Sequence, residues 1–224
     1  MKIAIGITTY KRDLSLAIVM GNLLGQVSYG TKIYIAHGES LNNPLLKQVL
    51  GSFEQSKLKV EYIHNPEINL ERGREKLYKK SKSDGFDWLI YMDDDFIIDN
   101  GNFKKLISFL KNVKNKYSLV QVAQPVGYPI YKDNHILIYQ AMKERQLIPI
   151  EFAGGMFALN LKEDIEFDFE LNRDEPGEDR EIGKRIKGEK VLVTDIWAYH
   201  MSSKEIGTNF NYKKYFGEEN RNWE

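Results

Sequence analysis

The stretch that decides the fold is DWLIYMDDDFI, which runs from Asp87 to Ile97. A run of mainly apolar and aromatic residues, typical of a buried strand, is followed at once by three aspartates. Adjacent carboxylates repel one another, and burying even one unpaired charge is costly. The stretch therefore predicts a strand that ends at a site where positive charge lies close to the aspartates.

Strand-like and helix-like segments alternate regularly around this stretch. Strands are predicted at Lys2–Thr9, Lys32–His37, Lys59–His64 and Asp87–Met92, and helices at Leu14–Gln26, Pro44–Gln55, Glu71–Ser83 and Asn102–Asn115. Such alternation is typical of an α/β protein with a central, mostly parallel sheet flanked by helices. Ligands of these sheets bind beyond the carboxyl ends of the strands. We therefore expect the polar groups TTYKR, HGES and DDD, each of which follows a strand, to meet at one edge.

The second half of the chain is less regular. Strands are predicted at Ser118–Pro125, Glu151–Leu161 and Lys190–His200, and a short helix at Glu178–Ile186. The residues after Ser203 are polar with interspersed aromatic residues, which indicates a tail that is either mobile or folded over the site. We therefore expect a single domain over residues 1–202 and a C-terminal tail over residues 203–224.

The composition excludes several classes of protein. The 32 basic and 32 acidic residues give a formal net charge of +0, which argues against a general binder of nucleic acid or membrane surfaces and against a nuclease with a basic groove. The absence of cysteine excludes disulfides, thiolate catalysis and cysteine-ligated zinc. No stretch approaches the roughly 18 apolar residues of a membrane span, and the N-terminus is unlike a signal peptide. A cytoplasmic protein is expected, and nothing indicates its oligomeric state.

The aspartates themselves are candidate metal ligands. Side chains at positions i and i+2 of an extended chain share a face, so Asp93 and Asp95 are expected to point together and Asp94 away from them. Two carboxylates at a strand end suit Mg²⁺ or Mn²⁺, which commonly bind through one or two carboxylates and substrate phosphates. The alternative is an acidic turn that caps the next segment.

Four motifs in order carry a resemblance to a known family. They are TTYKR after the first strand, YMDDD, the glycine-containing AGGMFALN at residues 153–160, and GEDREIGKRI at residues 177–186, which is followed by a strand and by Tyr199–His200. With these motifs the chain resembles the nucleotide-sugar glycosyltransferases of the GT-A fold, family 2-like, over residues 1–202. The resemblance implies a nucleotide-binding half, residues 1–115, and an acceptor half, residues 116–202.

The resemblance also implies roles for individual residues. It implies contacts to the nucleotide sugar from Thr8, Tyr10, Arg12, Glu39, Arg74, Asp93, Asp94, Gly154 and Gly155, and metal ligands at Asp93, Asp95 and His200. It implies a general base at Asp179, with Glu178 as the alternative. The family often has an arginine–asparagine pair at the position of Arg74, where this chain has Glu75 after the arginine. The cofactor implied is Mn²⁺ or Mg²⁺.

Each of these residues also has an ordinary structural interpretation. The glycine pair is equally consistent with a bulge, and acidic residues at the start of a helix stabilise it through capping and the helix dipole. Arg72 and Lys76 compete with Arg74 for a phosphate contact, and all three are compatible with a solvated helix face. Tyr10 offers a stacking face for a base, but the loop around it is also consistent with no ligand at all.

The function implied is transfer of a sugar from a UDP- or GDP-linked donor to an acceptor hydroxyl, as in hexosyltransferases. If Asp179 deprotonates the acceptor opposite the leaving group, the anomeric centre inverts. The alternatives are a nucleotidyltransferase that makes a sugar nucleotide, and a non-catalytic module that binds a nucleotide sugar or carbohydrate. The acceptor class stays open between sugar, lipid, protein and nucleic acid.

Overall fold

The structure is a computed structural model that describes residues 1–27, 30–38, 43–66, 70–124, 129–132, 135–138, 144–151, 154–167 and 178–201, with the backbone alone for 129–132, 135–138 and 178–181. The strands are β1 Ile3–Thr9, β2 Lys32–His37, β3 Lys59–His64, β4 Trp88–Asp93, β5 Phe96–Ile97, β6 Leu119–Ala123, β7 Pro129–Lys132, β8 His135–Ile138, β9 Leu147–Pro149, β10 Met156–Asn160, β11 Lys190–Trp197 and β12 Tyr199–His200. The helices are α1 Asp13–Leu24, α2 Pro44–Gln55, α3 Leu70–Ser83, α4 Asn100–Val113 and α5 Glu178–Arg185.

Eight strands form one sheet in the order β3-β2-β1-β4-β10-β6-β11-β9. Strands β3, β2, β1 and β4 run parallel, β10 is antiparallel to both β4 and β6, β11 is parallel to β6, and β9 is an antiparallel edge strand. The predicted α/β fold with a mostly parallel sheet is therefore confirmed. Strands from both predicted halves lie in this one sheet.

Helices cover both faces of the sheet. Helices α1, α2 and α4 contribute Leu16, Phe53 and Leu106 to a core that includes Ile5 and Ile7 of β1. A second core on the opposite face contains residues of α3, α5 and the sheet, among them Leu77, Ile182 and Phe157. Since successive residues of a strand face opposite sides and both faces are covered, the buried strands are mainly apolar on both sides. None of the described helices has the length and apolar character needed to cross a membrane.

Several predicted elements have the bounds that the structure shows, and the bounds of others differ because of local capping. Strands β2 and β3 and helix α2 have the predicted bounds, and the Asn43 side chain caps α2 by accepting from the Leu45 and Leu46 N–H groups. Helix α4 begins at Asn100 instead of Asn102, because Asp99 accepts the Asn102 N–H and caps the helix.

The two predicted strands that flank the site are each shorter than expected. Strand β10 begins at Met156 because Gly155 has a φ of +67°, which interrupts the extended chain. The last predicted strand divides in two, since β11 ends at Trp197 and β12 pairs with β5 in a separate two-stranded sheet. The prediction also lacked β5, β7, β8 and β9, which are two to four residues long and too short for a periodic pattern.

A polar network far from the aspartates holds the end of α3 to the sheet. The Asp84 carboxylate accepts hydrogen bonds from Lys32 Nζ at 2.8 Å, Tyr34 Oη at 2.6 Å and Lys80 Nζ at 3.0 Å. The bond from Lys32, followed by those from Tyr34 and Lys80, holds the pKa of Asp84 well below its usual range. Asp84 therefore stabilises the fold in its charged form.

We expect Asp84→Asn to lower the free energy of unfolding at pH 7 by about 1 kcal/mol, because the carboxylate is 25% exposed and partly screened. The pKa is lower in the folded state, so the stabilisation is present above the unfolded value, about pH 4, and is lost as the pH falls towards the folded value. Urea unfolding at pH 7 and pH 3 measures both differences.

The matched control is Asp164→Asn, since Asp164 is 97% exposed and pairs with Lys82. Its unfolding midpoint should equal that of the wild type at both pH values. A gap between Asp84→Asn and wild type that is as large at pH 3 as at pH 7 would contradict the prediction.

Candidate functional site

The polar segments that follow β1 and β4 lie side by side at the carboxyl edge of the sheet. In the parallel register of these strands Thr8 lies opposite Asp93, so the TTYKR and DDD segments leave the sheet together. Gly38 follows β2 at the same edge, whereas Glu39, the predicted base or ribose contact, lies outside the described residues. The expected meeting of TTYKR and DDD is confirmed.

Asp94 is a buried anchor and does not face away from its neighbours. The chain turns after Asp93, so the alternation expected of an extended strand ends there. The Asp94 carboxylate accepts from Thr9 Oγ1 at 2.6 Å and Arg12 Nη1 at 2.8 Å, and the Ser15 hydroxyl donates to the Asp94 carbonyl. Burial raises the pKa of Asp94 to about 6, against the opposing effect of Arg12 and Thr9. Asp94 ties the β1–α1 segment to the acidic turn.

Asp95 shares its arginine with Asp94. Arg12 Nη1 donates to Asp95 Oδ2 at 3.1 Å, and His200 Nε2 lies 3.3 Å from the same oxygen. The expectation that Asp94 points away from Asp95 is therefore wrong, because one nitrogen of Arg12 contacts both carboxylates. Arg12 occupies the N-cap position of α1, but its side chain does not cap the helix. The side chain pairs with the two aspartates instead.

Asp93 has a different partner on α3. Arg74 Nη2 donates to Asp93 Oδ1 at 2.9 Å, and Tyr91 Oη donates to the Arg74 carbonyl at 2.8 Å. Arg74 is only 1% exposed, while the Asp93 side chain is 28% exposed. Of the predicted competitors, Lys76 donates to the His64 carbonyl instead. Arg74 thus orients Asp93 through a charge-assisted hydrogen bond, and its contact to a donor phosphate stays a prediction.

Among the described residues, the guanidinium groups of Arg12 and Arg74 pair with the three carboxylates of the acidic turn. Both arginines come from segments distant in sequence, Arg12 before α1 and Arg74 in α3. Part of the positive charge that the sequence predicts is therefore supplied by the protein itself.

His200 reaches the site through the small sheet formed by β5 and β12. His200 pairs with Phe96 in this sheet, their ring centroids are 4.9 Å apart, and the Met201 N–H donates to the Asp95 carbonyl at 2.6 Å. The last segment of the described chain is thereby fastened to the turn that carries Asp95.

The glycine pair packs directly behind this arrangement. A Cβ on Gly155 would lie 2.2 Å from the Phe96 ring, and the Gly155 carbonyl accepts the Asp93 N–H at 3.1 Å. Gly154 exchanges hydrogen bonds with the Gln121 side chain, donating to Oε1 at 2.9 Å and accepting from Nε2 at 2.9 Å. The glycines therefore let the backbone approach Phe96 and the acidic turn closely, which accounts for Gly155 in structural terms.

Tyr10 and Thr8 both belong to the TTYKR motif, but they lie in different surroundings. Tyr10 packs against the end of β2, where a Cβ on Gly38 would lie 3.2 Å from Tyr10 Cδ2 and 3.1 Å from the Asn65 carbonyl. Thr8 is buried, with its methyl group against Gly73 of α3. Tyr10 is half-buried at the edge, so it is better placed than Thr8 to contact a ligand.

The predicted base lies where side chains are not described. Glu178 and Asp179 open α5, as the sequence predicts, but their side chains fall outside the described residues. Their assignment as alternative bases stays a prediction.

Asp95 and His200 are the two candidate metal ligands that the structure brings together, although Asp95 Oδ2 also accepts from Arg12 Nη1. Asp93 does not join them in a cluster. Within the described ranges, no three acidic, histidine or cysteine side chains converge as a metal-binding group. Asp95 Oδ2 and His200 Nε2 are 3.3 Å apart, close to the roughly 3 Å between neighbouring corners of an octahedron with metal–oxygen distances of about 2.1 Å. A carboxylate and an imidazole together suit Mn²⁺. Such a site would take its other ligands from a substrate and water, and a metal contact from Asp93 stays a prediction.

Sequence reasoning missed several residues that build the site. Thr9 and Ser15 bind Asp94, Phe96 supports His200, and Gln121 holds Gly154. Gln121 carries a detectable signal, because it is a polar residue between Val120 and Val122 in a predicted strand. Thr9, Ser15 and Phe96 are common in their positions, and only the packing of distant segments gives them a role.

Comparisons with known proteins agree with this architecture. The family model for Glycosyl transferase family 2 matches residues 4–167. The structure of TarS 1-349 from S. aureus has a TM-score of 0.64 at 15% identity, covering 90% of this chain and 60% of that one. The complex of TarS 1-349 with UDP-GlcNAc has a TM-score of 0.66 at 13% identity, with coverages of 94% and 62%. A197 from STIV has a TM-score of 0.51 at 14% identity, with coverages of 91% and 87%.

These similarities confirm the predicted fold. The chain spans about 60% of the length of TarS 1-349. No curated protein matches the chain by sequence.

We expect Gly155→Ala to lower the free energy of unfolding by about 3 kcal/mol, because a side chain at positive φ is strained and the new methyl group would overlap the Phe96 ring. Urea denaturation measures the loss. The control is Gly21→Ala in α1, where no neighbouring group lies within 4 Å of the added carbon. That variant should be more stable by about 0.5–1 kcal/mol. A Gly155→Ala protein as stable as the wild type would disprove the close packing of Phe96.

Proposed function

The chain belongs to glycosyl transferase family 2, and we propose that it transfers a sugar from a nucleotide-diphosphate donor to an acceptor hydroxyl. The family match covers more than half of the chain, residues 4–167 of 224. Structures of TarS 1-349 in complex with UDP and with UDP-GlcNAc share the fold. The proposal for this chain takes its donor class from those complexes and from the chemistry of the acidic turn.

The observation that carries the proposal is the position and charge of the acidic turn. Asp93, Asp94 and Asp95 lie at the carboxyl edge of a parallel sheet, where α/β folds bind their ligands. Arg12 pairs with Asp94 and Asp95, and Arg74 pairs with Asp93, which orients the turn. In the proposal, a divalent cation joins the carboxylates of this turn to the anionic diphosphate of the donor.

Each side chain then has a defined task. Asp95 and His200 would hold the cation, and Mn²⁺ or Mg²⁺ bound there would supply Lewis-acid stabilisation of negative charge on the diphosphate. Asp93, fixed by Arg74 and partly exposed, accepts hydrogen bonds from hydroxyl groups of the donor. Tyr10 provides the stacking face for the base. Asp94 contacts no substrate and anchors Arg12, so its earlier assignment to donor binding becomes an indirect one.

The acceptor side depends on α5. In the proposal, Asp179 takes the proton from the acceptor hydroxyl as that oxygen attacks the anomeric carbon, and Glu178 is the alternative base. Attack opposite the leaving group inverts the anomeric centre.

Thermal shift measurements test donor binding. UDP or GDP together with Mn²⁺ should raise the melting temperature, and each nucleotide alone should raise it much less, because the cation joins the diphosphate to Asp95. In Asp95→Asn, the Mn²⁺-dependent part of this rise in melting temperature should be abolished. The rise is measured from the melting temperature of the unliganded variant. The remote Asp164→Asn should retain it. Slow Mn²⁺-dependent hydrolysis of one sugar nucleotide from a panel would then identify the donor.

Two results would contradict the proposal. Stabilisation by a nucleoside triphosphate with a sugar phosphate, and none by nucleoside diphosphates, would favour a nucleotidyltransferase. Full Mn²⁺-dependent stabilisation of Asp95→Asn would show that the acidic turn does not hold the cation.

We expect Asp179→Asn to lower kcat for sugar transfer by roughly 100-fold or more, because the acceptor loses its general base. The Kd for UDP should stay within about threefold of the wild type, since the base contacts the acceptor and not the nucleotide. Steady-state kinetics and calorimetry measure the two quantities. Glu178→Gln is the matched control and should retain most activity; the reverse pattern would assign the base to Glu178.

A further inference from the structure

Glu71 and Arg185 form an ion pair that the proposed reaction does not use directly. Arg185 Nη1 donates to Glu71 Oε1 at 3.2 Å and to the Glu166 carbonyl at 3.1 Å. The Glu71 side chain is only 3% exposed and that of Arg185 is 22% exposed. A carboxylate buried to this degree depends on its cationic partner, because an uncompensated charge in the interior is strongly unfavourable.

Glu71 lies on the same face of α3 as the arginine that orients the acidic turn. Glu71 and Arg74 are three residues apart, so they are neighbours on the helix surface, and both are buried. Arg74 reaches Asp93 of β4, while Glu71 reaches Arg185 of α5. One turn of α3 therefore contacts both the donor side of the site and the helix that opens with Glu178 and Asp179.

Apolar contacts also join the described part of α5 to α3. Ile182 is buried within α5 and Ile186 just beyond it, in the core that also contains Leu77 and Tyr78 of α3. Apolar contacts tolerate small sliding movements, whereas a charged hydrogen bond requires one direction and one distance. Arg185 is the last residue of an eight-residue helix, so with 1.5 Å per residue it lies about 10 Å along the axis from Glu178.

We propose that Glu71 and Arg185 are positioning residues that hold α5 in register with the acidic turn. By binding α5 to the turn of α3 that holds Asp93, the pair keeps the start of α5 at a constant distance from the donor. The inference rests on the proposed transferase function. A misplacement of reacting groups by about 1 Å costs as much as 100-fold in rate, so a contact far from the chemistry is sufficient to control turnover.

The test compares variants of the pair in the full chain. Arg185→Gln and Glu71→Gln should each lower kcat by roughly 10- to 100-fold, with the Kd for UDP in the presence of Mn²⁺ within about threefold of the wild type. Arg185→Lys keeps the positive charge, so its kcat should fall less than that of Arg185→Gln. The double variant Glu71→Arg with Arg185→Glu, in which the two charges are exchanged, should be more active than Glu71→Arg alone or Arg185→Glu alone. Lys79→Gln, which removes an exposed ion pair with Glu75 on the same helix, is the control and should match the wild type.

Hydrogen exchange supplies a readout that does not require turnover. Amides of residues 178–185 should exchange faster in Arg185→Gln than in the wild type, while those of β1 and β4 should be unchanged. Unchanged exchange in α5 would overturn the inference whether or not the enzyme is active.

The kinetic outcomes separate the inference from the proposed function. A Gln variant with wild-type kcat per folded molecule, or with equal losses in kcat and UDP affinity, would overturn the positioning role. A wild-type protein that binds no nucleotide and hydrolyses no sugar nucleotide would instead overturn the proposed function, and hydrogen exchange would still decide whether the pair holds α5.

Discussion

Three adjacent carboxylates at the end of a buried strand are stabilised by two guanidinium groups that reach them from elsewhere in the chain. Arg12 contacts both Asp94 and Asp95, and Arg74 contacts Asp93. Each contact compensates charge in an environment where water cannot do so fully. The rest of the site is arranged around this requirement.

The requirement joins segments that are far apart in the sequence. Arg12 fastens the segment after β1, Arg74 fastens α3, and the pairing of β12 with β5 delivers His200 to the same turn. The acidic turn is therefore the point at which the parallel first half and the mixed second half of the fold meet. A change in the charge of one aspartate therefore acts on the segments that pair with it: the segment after β1 and His200 for Asp95, and α3 for Asp93.

Helix α3 connects the acidic turn to helix α5. Its buried face carries Arg74 for the acidic turn and Glu71 for Arg185 of α5, so opposite charges on one turn serve the two sides of the proposed reaction. Behind His200, the position of the Phe96 ring is set by close packing against the backbone of Gly155 and not by an ion pair. The geometry of the proposed donor site is thus supported by ion pairs and close packing among the protein's own residues.

The sequence by itself determined the alternation of strands and helices, the mostly parallel sheet, and the meeting of TTYKR and DDD at one edge, because hydrophobic periodicity and chain direction are local properties. It also identified Arg74, Gly155 and His200 as candidates. Only the tertiary structure decided that Asp94 is a buried anchor, that Arg12 serves two carboxylates, and that Glu71 pairs with Arg185. Those facts depend on which distant segments become neighbours, and charge compensation in the interior is set by that packing and by no local pattern.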